Sequence, residues 1–195
     1  MGLNETCDAG IVHTLDPAYY TSDAIYQQEC AGLFMRAWQY AGHASQAPNP
    51  GDYFTFEIAG QRLFCIRNYD NVLLTFYNVC PHCAHELVKG QGHCDKAIVC
   101  PYHAWTYRFD GSLLRGPNSE VIPVQARDSV CLTSVHTQEF CGFIFVNLYD
   151  EAEPMGVWFP EVETQLREFV PNINALMPIE TISVSEKCNW KVSVE

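Results

Sequence analysis

Apolar and polar residues alternate in three short runs near the middle of the chain: Tyr53–Ile58, Leu63–Arg67 and Val72–Tyr77. The pairs Ala59-Gly60 and Asp70-Asn71 separate them. A period of two between turn residues predicts three antiparallel strands. Upstream, Ile25, Glu29 and Leu33, with Tyr26, Cys30 and Phe34, recur at helical spacing behind Pro17 and Ser22-Asp23. That pattern predicts a helix from Asp16 to Gly32, ended by Gly32 and by the aromatic run Phe34–Tyr40, which starts a strand. Pro48-Asn49-Pro50-Gly51-Asp52 reads as a turn. Downstream, Gly90–Tyr107 reads as a hairpin, Asp110-Gly111 turns the chain, and Val130–Val135 with Gly142–Leu148 form a last strand pair. An acidic linker follows at Asp150-Glu151-Ala152-Glu153-Pro154, then a short helix over Pro160–Phe169 and a strand at Ile182–Val184. The expected fold is mostly β, a small antiparallel sandwich or barrel flanked by an N-terminal helix and a short C-terminal helix. Three segments follow: 1–34, 35–149 and 150–195.

Composition narrows the picture. With 48% apolar and 17% charged residues, the chain has material for a core and does not read as disordered. Its net charge of −12 argues against a nucleic-acid partner. Positions 79–115 depart from that balance, with four bases (Lys89, Lys96, Arg108, Arg115) against three acids (Glu86, Asp95, Asp110). A locally non-acidic surface would admit an acidic partner; scattered surface charge accounts for it equally well. No apolar run approaches the ~20 residues of a membrane span. Met1–Val12 lacks the basic start and apolar stretch of a signal peptide. The ten Cys are therefore read as those of a reduced, cytoplasmic protein, mostly free thiols.

Two short motifs carry the chemistry: Cys80-Pro81-His82 and Cys100-Pro101-Tyr102-His103. Together they offer two thiolates and two imidazoles from two tight loops. A structural zinc site could use the same donor types, but zinc usually takes a Cys pair followed by a His pair. Here Cys and His alternate, so that each loop gives one ligand to each of two metals, as a Rieske 2Fe–2S centre requires.

Extended to Asn78-Val79 before, and to Ala104-Trp105-Thr106-Tyr107 and Asp110-Gly111-Ser112-Leu113 after, the pattern resembles the Rieske domain of non-haem iron ring-hydroxylating oxygenases. The resemblance implies a Rieske-type β domain over 35–149 and Cys80, His82, Cys100 and His103 as cluster ligands. It also implies that electrons come from a reductase or ferredoxin and go to a mononuclear Fe(II) site in a catalytic domain of the same or a neighbouring subunit. That family commonly has Arg after the first ligand His, where this chain has Cys83. Cys83-Ala84-His85-Glu86-Leu87 is otherwise similar to the branch that oxygenates quaternary ammonium compounds.

Respiratory-chain Rieske proteins resemble the same pattern but brace it with a disulfide, at positions held here by His85 and Tyr102. They also place a Ser where Trp105 stands, so fewer hydrogen bonds reach sulfur. This implies a potential near the low end of the Rieske range, about −150 mV. Trp105 is read as an apolar shield, and Tyr107 either as a donor toward a Cys sulfur or as structural packing. Imidazoles of His82 and His103 facing solvent would make the potential depend on pH.

His13, His43, His85, His93 and His136 match no oxygenase iron site. Cys188-Asn189-Trp190-Lys191 resembles that family's entry into its catalytic domain. The chain is thus expected to transfer electrons without oxygenating substrate by itself. The alternatives are a free-standing Rieske ferredoxin and a zinc-stapled binding module. Cys65, Cys131 and Cys141 are expected as small core residues, and Cys94 as a loop residue.

Overall fold

The computed structural model describes residues 15–117 and 130–194. Met1–Val12 and His13, on which the absence of a leader and one unassigned histidine were argued, lie outside the described residues. The chain begins with two short helices, α1 (Ala18–Thr21) and α2 (Asp23–Glu29), continued by a π-helical turn Cys30–Phe34. The single helix expected from Asp16 is broken at Ser22. Its backbone is extended there and its Oγ accepts from the N–H of Ile25 at 3.4 Å, capping α2 anew.

Strands β1 (Gln39–His43), β2 (Asp52–Ile58), β3 (Gln61–Arg67), β4 (Leu73–Tyr77) and β5 (Gln91–His93) follow. Then come β6 (Ile98–Val99), β7 (Thr106–Tyr107), β8 (Leu113–Arg115), β9 (Ser134–Phe140) and β10 (Phe143–Asn147). A curled antiparallel sheet runs β1-β10-β9-β4-β3-β2-β5, and a small second sheet runs β6-β7-β8. The mostly β, antiparallel expectation holds, as does the alternation that placed β2, β3 and β4. The β2–β3 and β9–β10 hairpins are closed by two residues each, Ala59-Gly60 and Cys141-Gly142, with all four at positive φ (49°, 77°, 52° and 83°). That is the turn geometry whose twist matches paired strands.

Three expectations are corrected. Gly90–Tyr107 is not one hairpin: Gln91–His93 pairs with β2 in the large sheet, and only Ile98–Val99 returns onto Thr106–Tyr107. The strand expected at Val130–Val135 runs instead from Ser134 to Phe140, in register with β10. Ile182–Val184 forms no strand, since no described backbone pairs with it.

β3 lies inside the sheet with both faces covered. Phe64 and Ile66 face the core shared with the small sheet, whereas Leu63 and Cys65 face cores reaching Ile144 and Val146 of β10. Burial pushes the Cys65 thiol up to about 12, as befits a core residue. Cys141 is buried at its turn and Cys94 packs on the core, but Cys131 is only half-buried and outside the strands. After β10 the chain forms α3 (Met155–Trp158) and α4 (Val162–Phe169). No helix among the described residues is long and apolar enough to cross a membrane.

Candidate iron–sulfur site

Both sequence motifs sit on loops with one shared backbone plan. In the first, the N–H of Cys80 donates to His85 O at 2.7 Å and the N–H of Ala84 donates back to Cys80 O at 2.8 Å. In the second, Cys100 N–H reaches Trp105 O at 2.7 Å and Ala104 N–H reaches Cys100 O at 3.0 Å. Ala84 and Ala104, at φ 57° and 55°, make the left-handed step that closes each loop. Pro after each Cys fixes φ and has no N–H to satisfy. The first loop hangs from β4 and the second joins β6 to β7, so two different sheets support one site.

Asn78, quoted in the motif but given no task from sequence, staples the base of the first loop. It is buried; its Oδ1 accepts from the N–H groups of Leu87 and Val88 at 3.1 Å each, and its Nδ2 donates to Val88 O at 2.8 Å. A residue that satisfies three backbone groups in the interior holds a loop whose strand partners have run out. The signal was an Asn two residues before the Cys, too common in turns to single out.

The donors divide by burial. Cys80 and Cys100 are buried, whereas His82 and His103 are exposed. Burial pushes the Cys80 thiol up, the Tyr107 hydroxyl works the other way, and the adjacent Cys100 reinforces the rise. Tyr107, fully buried, places its Oη 3.2 Å from Cys80 Sγ. Burial, then the Cys80 sulfur, raise the Tyr107 phenol, so it stays protonated. Trp105 is buried and stacks on the His82 ring at 4.8 Å and 12° between planes. The two imidazoles meet edge to face at 4.9 Å. Around the second loop Tyr102 is exposed, and the exposed Val99 and Leu114 line a cavity of about 750 Å³ together with Asp95, Lys96 and Arg115.

His43 does not join the site. It is buried, its Nδ1 lies 2.8 Å from Ser45 Oγ, and it caps the turn after β1. His93 pairs with Asp52 at 2.7 Å and His136 with Asp150 O at 2.9 Å, so both have structural partners. His85 lies against Tyr102, with ring centroids 5.2 Å apart.

Two loops of one plan, with sulfurs inside and imidazoles outside, form the kind of site that defines a Rieske-type fold. Residues 37–126 match the family described as the Rieske (2Fe–2S) domain, and the chain carries such a domain. It is 32% identical over 185 residues to the carnitine monooxygenase oxygenase subunit of Acinetobacter pittii, covering 95% of this chain and 50% of that one. The same subunit of Escherichia coli K12 is also 32% identical, over 93% of this chain and 49% of its own length. The biphenyl 2,3-dioxygenase subunit alpha of Rhodococcus jostii is 27% identical over 93% and 40%. Among solved structures, a quaternary ammonium Rieske monooxygenase in its apo form superposes with a TM-score of 0.88 at 32% identity, over 93% of this chain and 53% of that one. The chain therefore carries a Rieske domain similar to that of these oxygenase subunits, and spans about half the length of the curated relatives it matches.

The donor set fits the cluster that the family implies. Two buried thiols lie side by side, a buried phenol faces one of them, and two imidazoles meet at the exposed surface.

Proposed function

We propose that Cys80 and Cys100 hold one iron of a Rieske cluster from the buried side, and that His82 and His103 hold the other at the surface. The carrying observation is the matched loop pair that separates sulfur donors from imidazole donors. Four donors around a single zinc ion would instead gather closely, yet the imidazoles close up with Cys83 rather than with the buried thiols. When bound, such a cluster accepts and releases one electron at a time.

The chain's residues have separable tasks in this reading. Cys80 and Cys100 each give up a proton on loading, and Tyr107 directs its O–H at the Cys80 sulfur. Trp105 shields the inner face of His82 from water. The exposed rings of His82 and His103 are the shortest way out for an electron. The exposed Val99 and Leu114, with Lys96 and Arg115 outnumbering Asp95 along the same cavity, suit an acidic reductase or ferredoxin. The acceptor is a mononuclear iron in an oxygenase catalytic domain of the same or a neighbouring subunit. A relative's structure is described in terms of inter-subunit electron transfer, which supports the second arrangement. Residues 1–195 transfer electrons and do not hydroxylate a substrate unaided.

Anaerobically purified protein tests this directly. Two irons and two acid-labile sulfides per chain, with a rhombic EPR signal on reduction, are expected; sulfide-free protein overturns the reading. Turnover assays with a reductase are expected to give no hydroxylated product from this chain alone.

A further inference from the structure

Cys83 has no part in the reading above, yet its place is distinctive. It stands three residues after Cys80 and directly before the left-handed Ala84, just as His103 stands after Cys100 and before Ala104. Because the loops share one backbone plan, the two equivalent side chains meet: Cys83 Sγ lies 3.5 Å from His103 Nδ1. His82 completes the group, and one donor atom from each of the three residues lies within 4.8 Å of the other two. All three are exposed.

We propose that in the absence of the iron–sulfur cluster His82, Cys83 and His103 form a site for one divalent ion of the zinc class. Zinc–sulfur and zinc–nitrogen bonds at a tetrahedral angle set S and N about 3.5 Å apart, the separation already present between Cys83 and His103. The remaining gaps close by side-chain rotation, which the exposed loops permit, while stacking on Trp105 keeps the His82 ring in place. Binding converts the Cys83 thiol to a thiolate and releases one proton to solvent. The fourth position faces water. Borderline-soft ions that accept imidazole and thiolate suit this set, whereas magnesium and calcium do not. Since the ion takes the two imidazoles assigned to the cluster, ion and cluster exclude one another. That exclusion rests on the iron–sulfur reading; the zinc site itself does not.

The test uses the full chain stripped with a chelator under reducing conditions. Zinc is titrated by calorimetry, and cobalt(II) is followed through its thiolate charge-transfer absorption. One ion per chain and a thiolate–cobalt band are expected. Cys83→Ser is expected to weaken zinc by more than about tenfold and remove the band, and Cys83→Arg to do the same. Cys80→Ser and Cys100→Ser are expected to retain both, with circular dichroism confirming that all variants fold. Wild-type affinity in Cys83→Ser overturns the proposal, as does loss of binding in Cys80→Ser, which would place the ion on the buried thiols. In a second arm, zinc added before iron and sulfide is expected to slow cluster assembly in the native sequence and not in Cys83→Ser; equal slowing in both overturns the exclusion. Assembly that fails without zinc would sink the cluster reading and leave the zinc result standing.

Discussion

At the scale of single residues, the site depends on what reaches sulfur. Tyr107 is the one hydroxyl within 3.2 Å of Cys80 Sγ among the described residues, and the surrounding core holds it there. Removing an O–H that stabilises charge on sulfur makes reduction harder. Tyr107→Phe is therefore expected to lower the potential by about 60 mV, which for one electron equals ~1.4 kcal/mol. Film voltammetry checks this, and an unchanged potential would mean that the phenol serves packing alone. Sequence placed this residue beside the motif but left donation to sulfur and plain packing equally open, because spacing along the chain does not say which way a ring points. The role of Asn78 was not legible, since its partners at Leu87 and Val88 lie across a loop whose closure no pattern announces. The meeting of Cys83 with His103 was hidden for a similar reason. It follows from two loops folding alike although their Cys-to-His spacings differ.

At the scale of elements, local chemistry decides where strands begin and end. The β2–β3 turn needs positive φ at both residues, and Ala59 meets that need at φ 49° with a side chain that disfavours it. Ala59→Asn is expected to raise stability by about 1 kcal/mol, read as a higher Tm. The short strand β5 is pinned to β2 through Asp52. Burial pushes the Asp52 carboxyl up, but donation from His93 and from Asn49 prevails and holds it below the usual carboxylate range. A carboxyl whose folded pKa is depressed stabilises above its unfolded value, about 3.9, and loses that contribution as pH falls through the lower folded value. Asp52→Asn is expected to cost about 1 kcal/mol at pH 7 and progressively less below pH 4, checked by urea melts at both pH values. Period-two alternation exposed β2, β3 and β4. It misplaced β9, because the residues before Ser134 are apolar for loop packing, and it misread β5, because three residues are too few to carry a period. Ile182–Val184 shows the converse, a strand-like run without a partner backbone.

At the scale of the whole molecule, the two ends of the described chain meet. Glu29 accepts from Trp190 Nε1 at 2.9 Å and from Lys191 Nζ at 2.5 Å, and Phe34 packs edge to face on Trp190 at 5.3 Å. Lys191, then Trp190, hold the Glu29 carboxyl below its ordinary range. The clasp is therefore in force at neutral pH and weakens as Glu29 protonates in acid. Glu29→Ala is expected to speed tryptic cleavage at Lys187 and Lys191 several-fold while the sheets persist. Cleavage at the native rate would show that the clasp restrains nothing. Between α4 and that clasp, Met177, Ile179, Ile182 and Val184 stand exposed, which the sequence presented simply as apolar residues.

The matched loops have one more consequence. Each is closed by its own Cys N–H and C=O and by an Ala at positive φ, bonds that need no metal to form. Such a receptor is cast in advance: it spares the chain most of the ordering that metal-driven folding demands, and stripping iron and sulfide should leave a mould rather than a melt.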